Sequence, residues 1–118
     1  MKIRVDFVTN SSSSSFSISK DKLSKKQVLA IINHSELGEM IGIEYSSHAW
    51  KVNVTDEIVS ADTYMNNFNM GEFLDNIGVD RRLVEWDEFE RSYESYIPAE
   101  TVPEWEGLLE TIISKHAD

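Results

Sequence analysis

Three groups of residues in this chain have the types and spacing that chemistry needs. The first is the run Asn10, Ser11, Ser12, Ser13, Ser14 and Ser15. Hydroxyls and backbone N–H groups crowded into one loop can cradle an anion, as phosphate-binding nests do. Phosphate loops also use glycine for close approach and lysine for charge, and residues 9–19 contain neither. An anion or phosphate site in this loop stands as an alternative beside a plain structural turn. The second group is the histidines, His34, His48 and His116, set among many serines. No Gly-x-Ser-x-Gly elbow and no His-Glu-x-x-His pair occurs, so neither a nucleophile turn nor a helical zinc pair is written locally. Residues 75–80 have acidic ends and a glycine but lack the alternating oxygen ligands and distal glutamate of a calcium loop. The chain has no cysteine, which removes disulfides, thiolate metal sites and cysteine catalysis. No catalytic residue, metal set or cofactor is expected.

The third group is acidic and says the most. On a helical wheel Asp87, Glu90 and Glu94 form one stripe, and Glu106 and Glu110 form another. Residues 85–110 hold nine acids and one arginine, Arg91. Like charges at i, i+4 cost about 0.2–0.5 kcal/mol per pair, so such stripes do nothing for folding alone. They suit a protein partner with a basic surface, and in the sharpest form they imitate the phosphates that a nucleic-acid-binding protein grips. The alternative is a solvated face that serves solubility.

The whole chain repeats this imbalance. Its 118 residues carry a net charge of −10. Residues 1–51 have seven Lys or Arg against five acids, a net of +2, whereas residues 52–118 have four against sixteen, a net of −12. Phosphate affinity rests on Lys and Arg, so direct binding of nucleic acid is disfavoured, as is an anionic membrane. Lys20, Lys22, Lys25 and Lys26 form a small basic cluster that can pair with the acidic half. Three charges in residues 1–8 interrupt the apolar stretch a secretory signal needs. No apolar run approaches the ~20 residues of a membrane span, and a cytoplasmic location is the expectation.

The elements that must position these groups follow from periodicity. Residues 2–8 alternate, with Ile3, Val5 and Phe7 on one face, and read as a strand. A serine loop then leads to a second strand over 16–19, the two forming a hairpin. Ser24 and Gln27 make a capping box for a helix over about 24–34, with His34 outside the apolar arc and hence solvated. Residues 40–45 and 49–54 read as strands joined by a turn at Ser46-Ser47-His48. Thr55 can cap a helix starting at Asp56. A short helix over 71–77 stops at Gly78. Trp86, Phe89, Tyr93, Tyr96 and Ile97 share one arc and predict a helix over about 81–96, ended by Pro98. Thr101 to Glu104 form a second capping box, and Trp105, Leu108, Leu109, Ile112 and Ile113 keep a helical period. The sum is β-β-α-β-β with a helical C-terminal half: one α+β domain over 1–118, built on a small antiparallel sheet of about four strands packed with helices.

The opening residues add a resemblance. A short charged strand, then Phe7-Val8-Thr9-Asn10, five serines and Phe16, resembles the N-terminus of many uncharacterised bacterial and bacteriophage proteins. It covers about 16 of the 118 residues. Those proteins commonly place Val or Ile straight after the aromatic residue, where this chain has Ser17 before Ile18. The resemblance implies a bacterial or phage origin, with phage or mobile elements favoured, and implies no fold or active site. The leading functional expectation is a small non-enzymatic binding protein acting on a basic protein partner through its acidic half. An enzyme or ligand-binding protein using the serine loop, and a self-associating structural domain, are the alternatives.

Overall fold

In the computed structural model, which describes residues 14–64, 67–88 and 99–116, strands and helices sort by the period of their apolar residues. Strand β1 (Ser14–Ser19) buries Ser14, Phe16 and Ile18 and turns Ser15 and Ser17 the other way. Helices α1 (Lys25–Ile32) and α2 (His34–Ile41) follow. Next come the hairpin strands β2 (Lys51–Val54) and β3 (Ile58–Thr63), helix α3 (Met70–Asn76), strand β4 (Glu85–Glu88) and helix α4 (Trp105–Lys115). Single turns of 3-10 helix occupy Lys20–Lys22 and Arg81–Leu83. The four strands form one antiparallel sheet in the order β2-β3-β1-β4. The architecture is therefore α+β, an antiparallel sheet packed with helices, with a helix at the C-terminal end. Among the described residues no helix is long and apolar enough to cross a membrane.

The core lies between the helices and one face of the sheet. Phe16, Ile18, Val59 and Ala61 meet Ile31, Leu37, Phe73, Leu109 and Ile112 there. The capping box at Ser24 forms as expected: its hydroxyl accepts from the Gln27 N–H (3.0 Å) and its own N–H donates to Gln27 Oε1 (2.9 Å). Helix α1 ends at Ile32, the Asn33 backbone leaves helical geometry (φ −104°, ψ 29°), and a new helix starts at His34. This corrects the expectation of a solvated His34, whose place on the α1 wheel is irrelevant once α1 stops at Ile32 and His34 opens α2. His34 is buried among Phe68 and Phe73. Its Nε2 accepts from the Trp50 N–H (2.9 Å), which places the ring proton on Nδ1, donating to the Ile31 carbonyl (2.7 Å). The Trp50 indole N–H donates to the Phe68 carbonyl (3.1 Å).

Three further expectations are corrected. Residues 40–45 are not a strand. Helix α2 runs through Met40, and Gly42, at φ +93°, ends it in a Schellman motif closed by Ile43 N–H to Gly38 O (2.9 Å) and Gly42 N–H to Glu39 O (3.2 Å). Nor does Thr55 start a helix. Its hydroxyl does accept from the Glu57 and Ile58 N–H groups (3.2 and 3.0 Å), the chemistry of a cap, but here it closes the β2–β3 turn. Residues 85–88 are strand rather than part of a helix over 81–96, because pairing with β1 and the Trp86–Phe16 ring contact (5.6 Å) override a weak strand propensity. Residues 89–96 of that expected helix lie outside the described ones. Both edges of β1 are taken by β3 and β4 over residues 14–17. Residues 2–8, expected to form a hairpin with 16–19, lie outside the described residues.

The short helix before Gly78 is present, capped by Asn69 and stopped by Gly78 at φ +80°. Its C-terminal end holds the segment leading to α4. Asp75 accepts from the Ala99 N–H (2.9 Å), Asn76 donates to the Glu100 carbonyl (2.8 Å), and Val102 N–H donates to the Asn76 carbonyl (2.9 Å). Helix α4 forms, but no side chain caps it, and the Thr101 hydroxyl bonds the Asp75 carbonyl instead (3.4 Å). Trp105, Leu109 and Ile112 bury its apolar face.

Two stability measurements check this packing. Burial holds the His34 ring below its ordinary pKa of 6.5. The folded state keeps it neutral, while the unfolded chain takes up a proton below about pH 6.5. Stability therefore falls as the pH drops from 6.5 toward the lower folded value, and His34→Leu removes this component. The same substitution strands the Trp50 N–H and Ile31 carbonyl and lowers stability by about 2–4 kcal/mol in urea denaturation at pH 7. Gly38→Ala would place a Cβ 2.7 Å from the buried Phe68 ring. It lowers stability by about 1–2 kcal/mol even though alanine favours the helix by up to ~1 kcal/mol.

Candidate binding surface

The sheet face opposite the helices is polar, and register alone determines its pattern. Period-2 alternation sends Lys51 and Asn53 of β2, Ser60 and Asp62 of β3, Ser15 and Ser17 of β1, and Glu85 and Asp87 of β4 to this side. Pairing then sets them in two rows. One row reads Lys51, Asp62, Ser15, Asp87, and the next reads Asn53, Ser60, Ser17, Glu85. Lys51, Asn53, Asp62 and Glu85 are exposed, and the serines and Asp87 are half-buried. Between the rows lies a shallow depression of about 500 Å³ lined by Ser15, Ser17, Ser60, Asp62, Glu85 and Asp87, together with the apolar Phe16, Ala61 and Trp86.

Strand geometry gives the spacing. Glu85 and Asp87 stand about 6.8 Å apart along β4, and Asp62 and Asp87 about 9.6 Å apart across two strand intervals. Three carboxylates thus flank a ladder of hydroxyls, with Lys51 at one corner. The carboxylates accept hydrogen bonds and the hydroxyls accept or donate, a combination that matches ammonium and guanidinium groups. None of the three histidines lines the depression. His34 is buried with both ring nitrogens bonded, His48 meets Asn67 (3.0 Å), and His116 meets Glu36 (2.9 Å).

The residues singled out in the sequence are distributed unevenly. Asn10, Ser11, Ser12 and Ser13 lie outside the described residues. Ser14 belongs to β1 and is buried on the core side. Ser15 belongs to β1 too, with Asp62 and Asp87 as its cross-strand neighbours, so an anion bound there would face two carboxylates. Asp87 is on a strand, so the helical stripe it was expected to share with Glu90 and Glu94 does not include it; Glu90 and Glu94 lie outside the described residues. Glu106 and Glu110 are exposed on α4, which packs against α1 and α2. Glu110 takes the Lys26 ammonium at 2.7 Å. That hydrogen bond holds the Glu110 carboxyl below the usual range and raises Lys26. The pairing of the basic cluster with the acidic half is thus realised at Lys26. Glu36 is likewise lowered by hydrogen bonds from His116 and Lys115.

Asp62, Glu85, Ser17 and Ser60 were not singled out in the sequence. The signal was the alternation of Val59 and Ala61 with Ser60 and Asp62, masked by the cap-like Thr55. No protein-family model, no curated protein and no solved structure matches the chain.

The two-faced register is open to a direct check. Phe16→Ala empties core volume and lowers stability by about 3–5 kcal/mol. Ser17→Val, one residue on and facing outward, changes it by no more than about 0.5 kcal/mol. Equal losses at both positions in thermal denaturation would refute the assignment of faces.

Proposed function

We propose that this chain is a small acidic binding protein of phage or mobile-element origin that engages a protein partner through a basic surface on that partner. The observation that carries the reading is the grouping of Asp62, Glu85 and Asp87 on the open face of the sheet, around hydroxyls and beside a lone lysine in the two rows. The origin rests on the resemblance of residues 1–16. A partner that itself grips nucleic acid fits best, since its Lys and Arg side chains are already spaced for a row of anions. Complementary charge speeds encounter and makes association salt-sensitive. Serines between the carboxylates supply hydrogen bonds without adding charge, which favours long cationic side chains lying across the face.

The test compares two double charge reversals of equal net change. Asp62→Lys with Glu85→Lys alters the open face, and Glu106→Lys with Glu110→Lys alters α4. Tagged protein retrieves a basic protein from host lysate at low salt, and a salt gradient releases it. The sheet pair weakens that association by about tenfold or more, while the α4 pair changes it little, with both variants folded by circular dichroism. Retrieval of no specific basic protein at low salt would sink the reading, and loss with the α4 pair alone would move the surface off the sheet.

A further inference from the structure

Strand β2 forms one edge of the sheet. The Thr55 N–H donates to the Ile58 carbonyl (2.9 Å), which makes these two residues a hydrogen-bonded pair. Such pairs alternate along an antiparallel ladder, so Asn53–Ser60 and Lys51–Asp62 are hydrogen-bonded pairs as well. The N–H and C=O groups of Val52 and Val54 therefore point away from β3, off the sheet. Among the described residues no backbone group pairs with them.

A groove of about 510 Å³ runs beside this strand, between Ala49, Trp50 and Val52 on one side and Ile32, Glu36 and Glu39 on the other. Its apolar part is accessible: Ile32 is 47% exposed, Ala49 is exposed and Val52 is half-buried. Its charge is negative. Among the described residues no Lys or Arg lines it. Lys115 and His116 hold Glu36 (3.0 and 2.9 Å), while Glu39 is exposed with no cation partner among the described residues.

We infer that the outer edge of β2 and the groove beside it receive an extended, basic segment of a protein partner by strand addition. This rests on the basic-partner reading above and adds to it a second place of contact, at the sheet edge, and its manner. Unpaired N–H and C=O groups at an edge bind an extended chain through main-chain hydrogen bonds, and alternate pockets choose its side chains. An added strand lies about 4.8 Å from β2. One set of its side chains falls on the groove side with Val52 and Ile32, where an aliphatic residue fits and flanking Lys or Arg reach toward Glu39. The other set lies on the open face beside Lys51 and Asn53, where small polar residues fit.

A blocked pentapeptide of sequence KTVTK is the probe, with valine placed for the groove. Two versions carry N-methyl groups on alternate amides, one on valine and one on both threonines, and a third replaces lysine with glutamate. Binding is read by amide shifts of labelled protein. The parent peptide shifts the Val52 and Val54 amides. One of the two methylated versions binds about tenfold or more weakly, because only one set of amides faces β2, and the glutamate version binds more weakly than the parent. Glu39→Lys, at an exposed position, weakens the parent several-fold. Absence of shifts at Val52 and Val54, or equal binding of the parent and both methylated peptides, overturns strand addition. Shifts confined to Asp62 and Glu85 overturn it too but leave the basic-partner reading standing, and the double charge reversals decide that reading separately.

Discussion

Everything else in this structure depends on the register of β1. It is an inner strand, paired with β3 over its whole length and with β4 over Ser14 to Ser17. Its period of two sends Phe16 and Ile18 into the core and Ser15 and Ser17 to the other side. A slip of one residue would bury the serines and expose the aromatic ring, so burial of one face enforces the register. Once β1 is set, pairing dictates which residues of β3 and β4 share its polar face. The acidic surface is thus a consequence of core packing, with no need for the carboxylates to attract one another.

The helical layer is joined to the sheet by polar links placed where strands begin and helices end. His34 joins the end of α1 to the residue before β2, satisfying one carbonyl and one N–H that burial would otherwise leave at a cost of about 1–3 kcal/mol each. The last turn of α3 does the same for the segment before α4, through Asp75 and Asn76. These contacts define where chain segments meet, while the apolar cluster to which Phe68 and Phe73 belong forms the core. Gly38 lets α2 come close to the Phe68 ring, which brings the His34 imidazole within reach of Trp50.

The parts of the fold legible in the sequence are those whose signals are local. Ser24 with Gln27, Gly78 after α3, and the apolar period of α4 each identify an element without reference to the rest of the chain. The class followed from these together with the alternation of residues 16–19 and 49–54. What was misread depends on contacts distant in sequence. Glu85 to Glu88 has poor strand propensity and becomes a strand only because β1 offers an edge. Thr55 makes the same hydroxyl contacts in a hairpin turn as it would in a helix cap, so only the alternation of residues 58–63 separates the two. The periodicity of α1 puts His34 on a solvated face only if the helix continues through Asn33, whose backbone is not helical. Of the candidate surface, Asp87 and Ser15 were visible as residues, but their juxtaposition was not, since it arises from pairing strands more than 65 positions apart.

The same long-range geometry redistributes the charge. The net +2 and −12 of residues 1–51 and 52–118 suggest two poles, yet the fold pairs Lys26 with Glu110, and Lys115 and His116 with Glu36, joining the two segments in both directions. On the open sheet face the balance differs, with Asp62, Glu85 and Asp87 around serines and Lys51 at the edge. In water two carboxylates about 6.8 Å apart repel by only about 0.6 kcal/mol, and salt screens them further over roughly 8 Å. The folded protein tolerates them at little cost while the face is wet. A partner that covers the face removes that screening, and each carboxylate left without a cation then becomes expensive. On the proposed reading, selectivity for a basic surface follows from desolvation: the charges that scarcely matter to folding would decide what can cover the sheet.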